Sequence, residues 1–108
     1  MNDPRLDERF RALKRRYLEE LGDEFARFKP LLAPGRGGVL AGRERNALLR
    51  SAHNWKGSGG TYGFPAITQL ASDLETRLQH GDDDRAVAST LRDLLSMYRT
   101  LCHDFGER

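Results

Sequence analysis

The sequence has few of the features that mark exported or membrane-bound proteins. It has one cysteine, Cys102, in 108 residues, so no disulfide can form within the chain. Its apolar runs are short, and MNDPRLDERF at the N-terminus is charged where a signal peptide needs apolar residues, so we expect no membrane segment and a cytoplasmic location. Cys102 falls on an apolar helical stripe, where we expect a buried and inert thiol.

The sequence also lacks the concentration of positive charge that is typical of nucleic-acid binders. The 18 basic and 16 acidic side chains leave a net charge of +2, and a basic run occurs only locally, from Arg9 to Arg16. We interpret this run as a solvated helix face, although a small basic nucleic-acid binder remains an alternative. The mild positive bias suits an acidic protein partner equally well.

The composition and the apolar pattern predict one all-α domain over residues 1–108, an antiparallel four-helix bundle. No convincing alternating strand pattern occurs. Four amphipathic segments begin near Pro4, Arg43, Pro65 and the acidic run at residues 82–84, which we interpret as a helix cap rather than a metal site. Gly22 interrupts the first segment, which otherwise continues to Leu32, and leaves open whether the N-terminal helix is short or broken. Tyrosines and phenylalanines on these stripes are predicted to form the core.

The second segment contains SAHNWKGSGGTYGF, which places four glycines beside one histidine. At 100° per residue, Leu48, Ala52, Trp55 and Gly59 share an inward face, whereas His53 lies more than about 100° away and points outward. Gly57 and Gly60 follow His53 on its own face and leave the backbone there bare, while Lys56 lies one turn on. Gly59, in contrast, permits close helix packing, and Gly63 is expected at the helix end or in the turn that follows.

An outward imidazole with bare backbone and one cation beside it is suited to a large anionic group brought by a partner. Imidazole titrates near neutrality, so an unprotonated fraction of His53 can attack phosphorus. Phosphoryl transfer requires mainly positioning and charge neutralisation, often by a metal. The sequence predicts no cofactor or metal site of its own, so we expect magnesium to come from the partner. Leu49 and Arg50 precede His53 and are candidate partner contacts; a boundary leucine and a solvated arginine are equally consistent with the sequence.

This segment resembles the signature of histidine-containing phosphotransfer (HPt) domains of two-component phosphorelays. The resemblance rests on unlike residues in a fixed order and spacing: Ala52, His53, Lys56, Gly57, Ser58, Gly60 and Gly63, then Leu70, Leu74 and Glu75. It implies that His53 takes a phosphoryl group from a receiver-domain aspartyl phosphate or a histidine kinase and passes it on. Lys56 would neutralise the phosphohistidine and Gly57 would admit the receiver's loops. Trp55 departs from the aliphatic residue usual there, which we expect to affect packing only.

The resemblance implies a phosphoryl carrier rather than an autonomous enzyme, and no glycine-rich nucleotide-binding motif is present. Its partners would be receiver domains, histidine kinases or both, with no nucleic acid and no membrane. The alternative is a helical module that binds and inhibits a receiver or kinase without transferring phosphate. An intact His53, Lys56 and Gly57 set favours transfer, because a pure binder needs no nucleophile.

Overall fold

The computed structural model describes residues 3–106, and within them the secondary structure is helical, without strands. The four α-helices are α1 Pro4–Phe28, α2 Gly42–Thr61, α3 Pro65–Gln79 and α4 Asp84–Gly106. Two short 3-10 turns, Lys29–Leu32 and Pro34–Arg36, connect α1 to α2. The apolar periodicity therefore predicts the fold class and the start of each helix to within one residue.

The helices run antiparallel to their neighbours in the chain. Tyr17 of α1 contacts Ser58 of α2, and further along α1 Glu24 contacts the earlier residue Trp55. The chain then reverses in the short turns at residues 62–64 and 80–83. These reversals confirm the antiparallel bundle.

α1 is one continuous helix despite its glycine. Asp3 caps it by accepting the Arg5 amide, and Pro4 occupies its first turn. Gly22 does not break the helix, because its missing side chain makes room for Tyr98, whose hydroxyl donates to the Leu18 carbonyl at 2.6 Å. The α-helix ends at Phe28 rather than Leu32, since Pro30 has no amide to continue it.

α2 and α3 form the closest-packed hairpin of the described chain. A Cβ on Gly59 would lie 2.9 Å from the Thr68 backbone nitrogen, so only glycine allows this approach. The Thr68 hydroxyl donates to the Lys56 carbonyl at 2.8 Å across the same contact. Gly63 adopts φ +81° in the turn, a conformation that glycine reaches without strain. Both glycines thus have the packing and turn roles predicted for them.

The aspartates at the start of α4 fix this end of the bundle by capping and ion pairing. Asp83 accepts the Ala86 amide at 2.8 Å, which confirms the capping prediction. Asp84 accepts the Leu40 amide at 3.0 Å and pairs with Arg45 at 2.8 Å. The α3–α4 turn is thereby held to the start of α2.

The core is built around Trp55, which is 1% exposed. The rings of Phe25 and Phe28 meet it edge-on, at centroid distances of 4.7 and 5.6 Å, and its indole nitrogen donates to Glu24 at 2.5 Å. A ring at this position therefore fills the space between α1 and α2. Cys102 is half-buried, so the expectation of a buried thiol is too strong.

The first turns of α1 do not enter this core. Leu6, Phe10 and Leu13 are 60%, 51% and 52% exposed, although they lie on the predicted apolar stripe. This part of the helix precedes Lys14, which contacts the α2–α3 turn at Gly63. The prediction that the aromatic residues form the core is therefore wrong for Phe10.

Candidate functional site

His53 lies on the solvent face of α2, with 71% of its side chain exposed. Its neighbours Ala52 and Trp55 are 0% and 1% exposed, so the helix anchors the imidazole through the residues on its opposite side. The helical rotation of the sequence predicts both orientations. A side chain on a helix held in this way is accessible to a partner and fixed in direction.

Glu75 of α3 orients the imidazole ring. Its Oε2 lies 2.6 Å from Nδ1 of His53, and its side chain is only 8% exposed. An ionised carboxylate can only accept hydrogen bonds, so Nδ1 carries the proton and donates it. The tautomer is thereby fixed, and the lone pair of Nε2 is the one available to react.

Lys56 completes an ion-paired cluster with the same carboxylate. Its Nζ lies 2.9 Å from Oε1 of Glu75, and 43% of the lysine side chain remains exposed. Glu75 thus contacts His53 through one oxygen and Lys56 through the other. The ammonium lies beside the imidazole, but in this state its charge is directed at the glutamate.

These contacts lower the pKa of Glu75 below its ordinary value. The hydrogen bond from Lys56 is the largest cause; burial opposes it, and the hydrogen bond from His53 adds to it. The carboxylate therefore stays ionised throughout the neutral range. The Glu75 carboxylate is thus always available to accept the hydrogen bond from Nδ1 of His53.

The backbone beside His53 is open, as the glycine spacing predicts. A Cβ on Gly57 would meet nothing within 4 Å, and one on Gly60 would meet only the Thr68 hydroxyl at 3.5 Å. Added side chains would therefore project into the space above the helix. The missing side chain of Gly57 leaves room for another molecule and serves no internal packing.

A shallow groove continues from the imidazole toward the start of α2. Leu49 and Arg50 line it together with Asn54, Glu75 and Gln79. Leu49 is half-buried against the core, and Arg50 is exposed. The structure thus places both candidate contact residues beside His53, and it adds Asn54 and Gln79.

Sequence reasoning assigned no role to Glu75, although this residue belongs to the resembling set. The signal that could have identified it is the register of the hairpin. Gly60 faces Thr68, and seven residues further from the turn on each helix His53 faces Glu75. Glu75 also lies at helical spacing from the buried Ala71 and Leu78, whereas Asp73, the other acid of α3, is exposed. An acid so placed requires a polar partner.

Residues 3–106 contain no group of three or more histidine, cysteine or acidic side chains arranged to hold a metal. In the same range, no helix has the length and apolar character needed to cross a bilayer.

Comparison with protein families identifies the class of this chain. Residues 12–101 match the Hpt domain model, which covers most of the sequence and the whole site described above. The protein therefore belongs to the Hpt domain family, whose members act in phosphorelays by histidine phosphotransfer and carry phosphoryl groups as their function. Comparisons with curated proteins and with solved structures gave no significant match.

Proposed function

We propose that this protein carries a phosphoryl group on Nε2 of His53, between receiver domains or between a histidine kinase and a receiver. The observation that supports this most directly is the hydrogen bond from Nδ1 to Glu75 at 2.6 Å. It leaves Nε2 as the reactive nitrogen on an exposed ring with bare backbone beside it.

The transfer step is a displacement at phosphorus. The Nε2 lone pair forms a bond to the phosphorus of a receiver's aspartyl phosphate, and the bond from phosphorus to the aspartyl oxygen breaks. The electron pair leaves with the receiver's carboxylate, and the Nδ1 proton stays in its hydrogen bond to Glu75. The imidazole becomes cationic as the bond forms, and the Glu75 carboxylate stabilises that charge.

Lys56 neutralises the phosphoryl oxygens after transfer. Its ammonium is held by Glu75 one helical turn from His53 and remains 43% exposed. A phosphoryl group on Nε2 brings two negative charges close to it and competes with Glu75 for the ammonium. Magnesium is supplied by the receiver in this scheme.

The surface that the partner covers is formed by Gly57, Gly60, Leu49 and Arg50. The empty space above Gly57 admits the loops around a receiver's aspartate, and the groove with Leu49 and Arg50 extends the contact. The competing function is a module that binds a receiver or kinase without transfer. The geometry favours transfer because a binder has no use for a fixed tautomer.

The test is phosphotransfer from a panel of phosphorylated receiver domains with magnesium, following acid-labile, alkali-stable phosphate on the protein. Wild type should be labelled, and His53→Gln should be unlabelled with unchanged circular dichroism. His80→Gln is the matched control and should be labelled like wild type. Receiver binding without labelling would support the inhibitory module instead.

A second variant tests the role of Glu75. Glu75→Gln keeps an oxygen that can accept the Nδ1 proton but removes the charge that stabilises the cationic ring. We expect the transfer rate to fall about tenfold or more, which corresponds to about 1.4 kcal/mol, with receiver affinity little changed. An unchanged rate would show that Glu75 does not assist transfer.

A further inference from the structure

The exposed side chains Leu6, Phe10 and Leu13 form a continuous apolar line on α1, here called the α1 seam. Each is more than half exposed, whereas the next residue at the same spacing, Tyr17, is 7% exposed. Three large apolar residues in a row on solvent are more than the scattered exposure that is normal for a protein surface. Most of the seam precedes the family match, which begins at residue 12.

The spacing of the seam determines the shape of what covers it. Leu6, Phe10, Leu13 and Tyr17 follow one another by four, three and four residues, which is the a and d pattern of helices that pack side by side. Tyr17 already packs within the bundle, stacked at 4.5 Å on Tyr62 of the α2–α3 turn. The seam therefore continues an existing helix-packing line beyond the point where the other helices supply partners.

The charged residues beside the seam determine which charge a binding partner should carry. Arg9 and Arg16 lie seven residues apart on one flank, and the outward surface around them is lined by the seam residues. Lys14 lies on the opposite flank with Asp7, and its ammonium sits between the rings of Phe10 and Phe64, 5.1 and 5.5 Å from their centres. The open flank is thus basic, although Arg16 pairs with Glu20 at 3.2 Å in an exposed pair of small energetic value.

A second copy of this chain fits the basic flank poorly. In an antiparallel pair of α1 helices, residues of the same flank meet, so Arg9 and Arg16 would face the arginines of the other copy, while Asp7 would face Lys14 on the other flank. In a parallel pair, Arg9 would face Lys14. Both arrangements bring like charges together at the edge of the apolar contact, which destabilises the pair.

We propose that the α1 seam docks an amphipathic helix of another protein, with apolar side chains at a and d positions and acidic side chains along the edge that faces Arg9 and Arg16. This surface is separate from the groove at His53 and does not depend on the proposed phosphotransfer. It would hold a partner to the protein while His53 remains accessible.

The test uses the full chain and two synthetic helical peptides that differ only in charge. Both have leucine at a and d positions; one has glutamate and the other lysine at e and g. Titrations followed by fluorescence anisotropy should show the glutamate peptide binding about tenfold or more tightly than the lysine peptide. Leu6→Ser/Phe10→Ser/Leu13→Ser should lose this binding and keep wild-type circular dichroism and His53 labelling.

Charge reversal makes the test specific. Arg9→Glu/Arg16→Glu should invert the preference between the peptides, whereas Arg11→Glu/Arg15→Glu, an equal charge change away from the seam, should preserve it. Equal affinity for both peptides, or for neither, would overturn the proposal. So would a concentration-dependent dimer in sedimentation, or binding to anionic lipid vesicles, if the seam variant abolished it. Loss of His53 labelling in a folded seam variant would assign the surface to the receiver contact and overturn the proposal as well.

Discussion

Gly57 and Gly59 are two residues apart, yet their missing side chains have opposite purposes. A Cβ on Gly57 would enter open space, whereas one on Gly59 would lie 2.9 Å from the Thr68 nitrogen. Glycine in a helix costs about 1 kcal/mol relative to alanine, so an open helical glycine is retained against stability. Packing explains the glycine at 59, and the proposed approach of a partner would explain the one at 57.

Alanine substitution should separate these purposes. We expect Gly57→Ala to raise the free energy of unfolding by roughly 0.5 to 1 kcal/mol, because it gains helix propensity without a clash. Gly59→Ala should lower it by about 1 to 3 kcal/mol, because α2 and α3 must move apart. Urea denaturation measures both, and destabilisation by Gly57→Ala would show an internal contact there.

A larger side chain at the open position tests its function. Gly57→Leu should fold with little loss of stability and should lose most of its phosphotransfer, because the leucine covers the approach to Nε2. Asn46→Leu adds a similar exposed side chain on α2, two turns before His53 and outside the groove, and serves as a comparison for general apolar effects. Transfer at the wild-type rate in Gly57→Leu would contradict the bare-backbone interpretation.

For single residues, the sequence predicts which way a side chain points better than it predicts which residue that side chain contacts. The 100° rotation per residue places His53 outside and Trp55 inside, and the structure agrees. The contact between His53 and Glu75 depends on how far α2 and α3 slide along each other. Thr68 and Gly59 set that register by close packing, which helical periodicity within one segment does not contain.

Between elements, the Glu75 cluster should make the α2–α3 contact sensitive to acid. The pKa of Glu75 is lower in the folded protein than in the unfolded chain, where it is about 4.3. The stabilisation is therefore complete above the unfolded pKa and is lost as the pH falls through the folded pKa. We expect Glu75→Gln to be less stable than wild type by about 1 to 2 kcal/mol near neutrality. Urea denaturation at descending pH should show this difference disappearing only below the ordinary glutamate pKa, and a difference independent of pH would exclude the linkage.

The packing of α1 on α4 depends on a hydroxyl directed at a glycine. The Tyr98 hydroxyl donates to the Leu18 carbonyl beside Gly22, and burial is the main reason that the pKa of Tyr98 lies well above its ordinary value. We expect Gly22→Ala to destabilise by about 1 to 3 kcal/mol despite its better helix propensity. In Tyr98→Phe the same alanine should cost measurably less, and a double-mutant cycle by thermal or urea denaturation gives the difference.

The helix pattern did not indicate this contact. Gly22 interrupts an apolar stripe, and such an interruption in a sequence suggests a bend or a break. α1 is continuous through Gly22, and Tyr98, which lies far along the chain, uses the space of the missing side chain. Long-range packing of this kind overrides local propensity.

At the scale of the whole molecule, the first turns of α1 extend beyond the rest of the helical bundle. The buried positions of α1 begin at Tyr17, and the family match begins at residue 12. We expect a chain starting at Ala12 to lose no more than about 1 kcal/mol of unfolding free energy, the order of one helix cap, and to keep His53 labelling. A large loss of stability or labelling would show that residues 1–11 belong to the folded unit.

The sequence predicts the architecture because four periodic stripes separated by glycine, proline and acidic breaks leave few alternatives to an antiparallel bundle. It does not predict which residues of α1 are buried, because Leu6 and Phe10 continue the apolar stripe with the same helical spacing as the buried residues. Burial there depends on how far the neighbouring helices extend. The lengths of α2 and α4 and their turns determine this, and all of them lie elsewhere in the chain.

The short turn between α2 and α3 also bears on how the protein folds. His53 and Glu75 are 22 residues apart in the chain, on neighbouring helices joined by residues 62–64. Contacts between segments so close in sequence close small loops and form rapidly, before more distant pairings such as that of α1 with α4. The candidate site therefore lies within one helical hairpin, and forming it closes a shorter loop than docking α1 on α4 does.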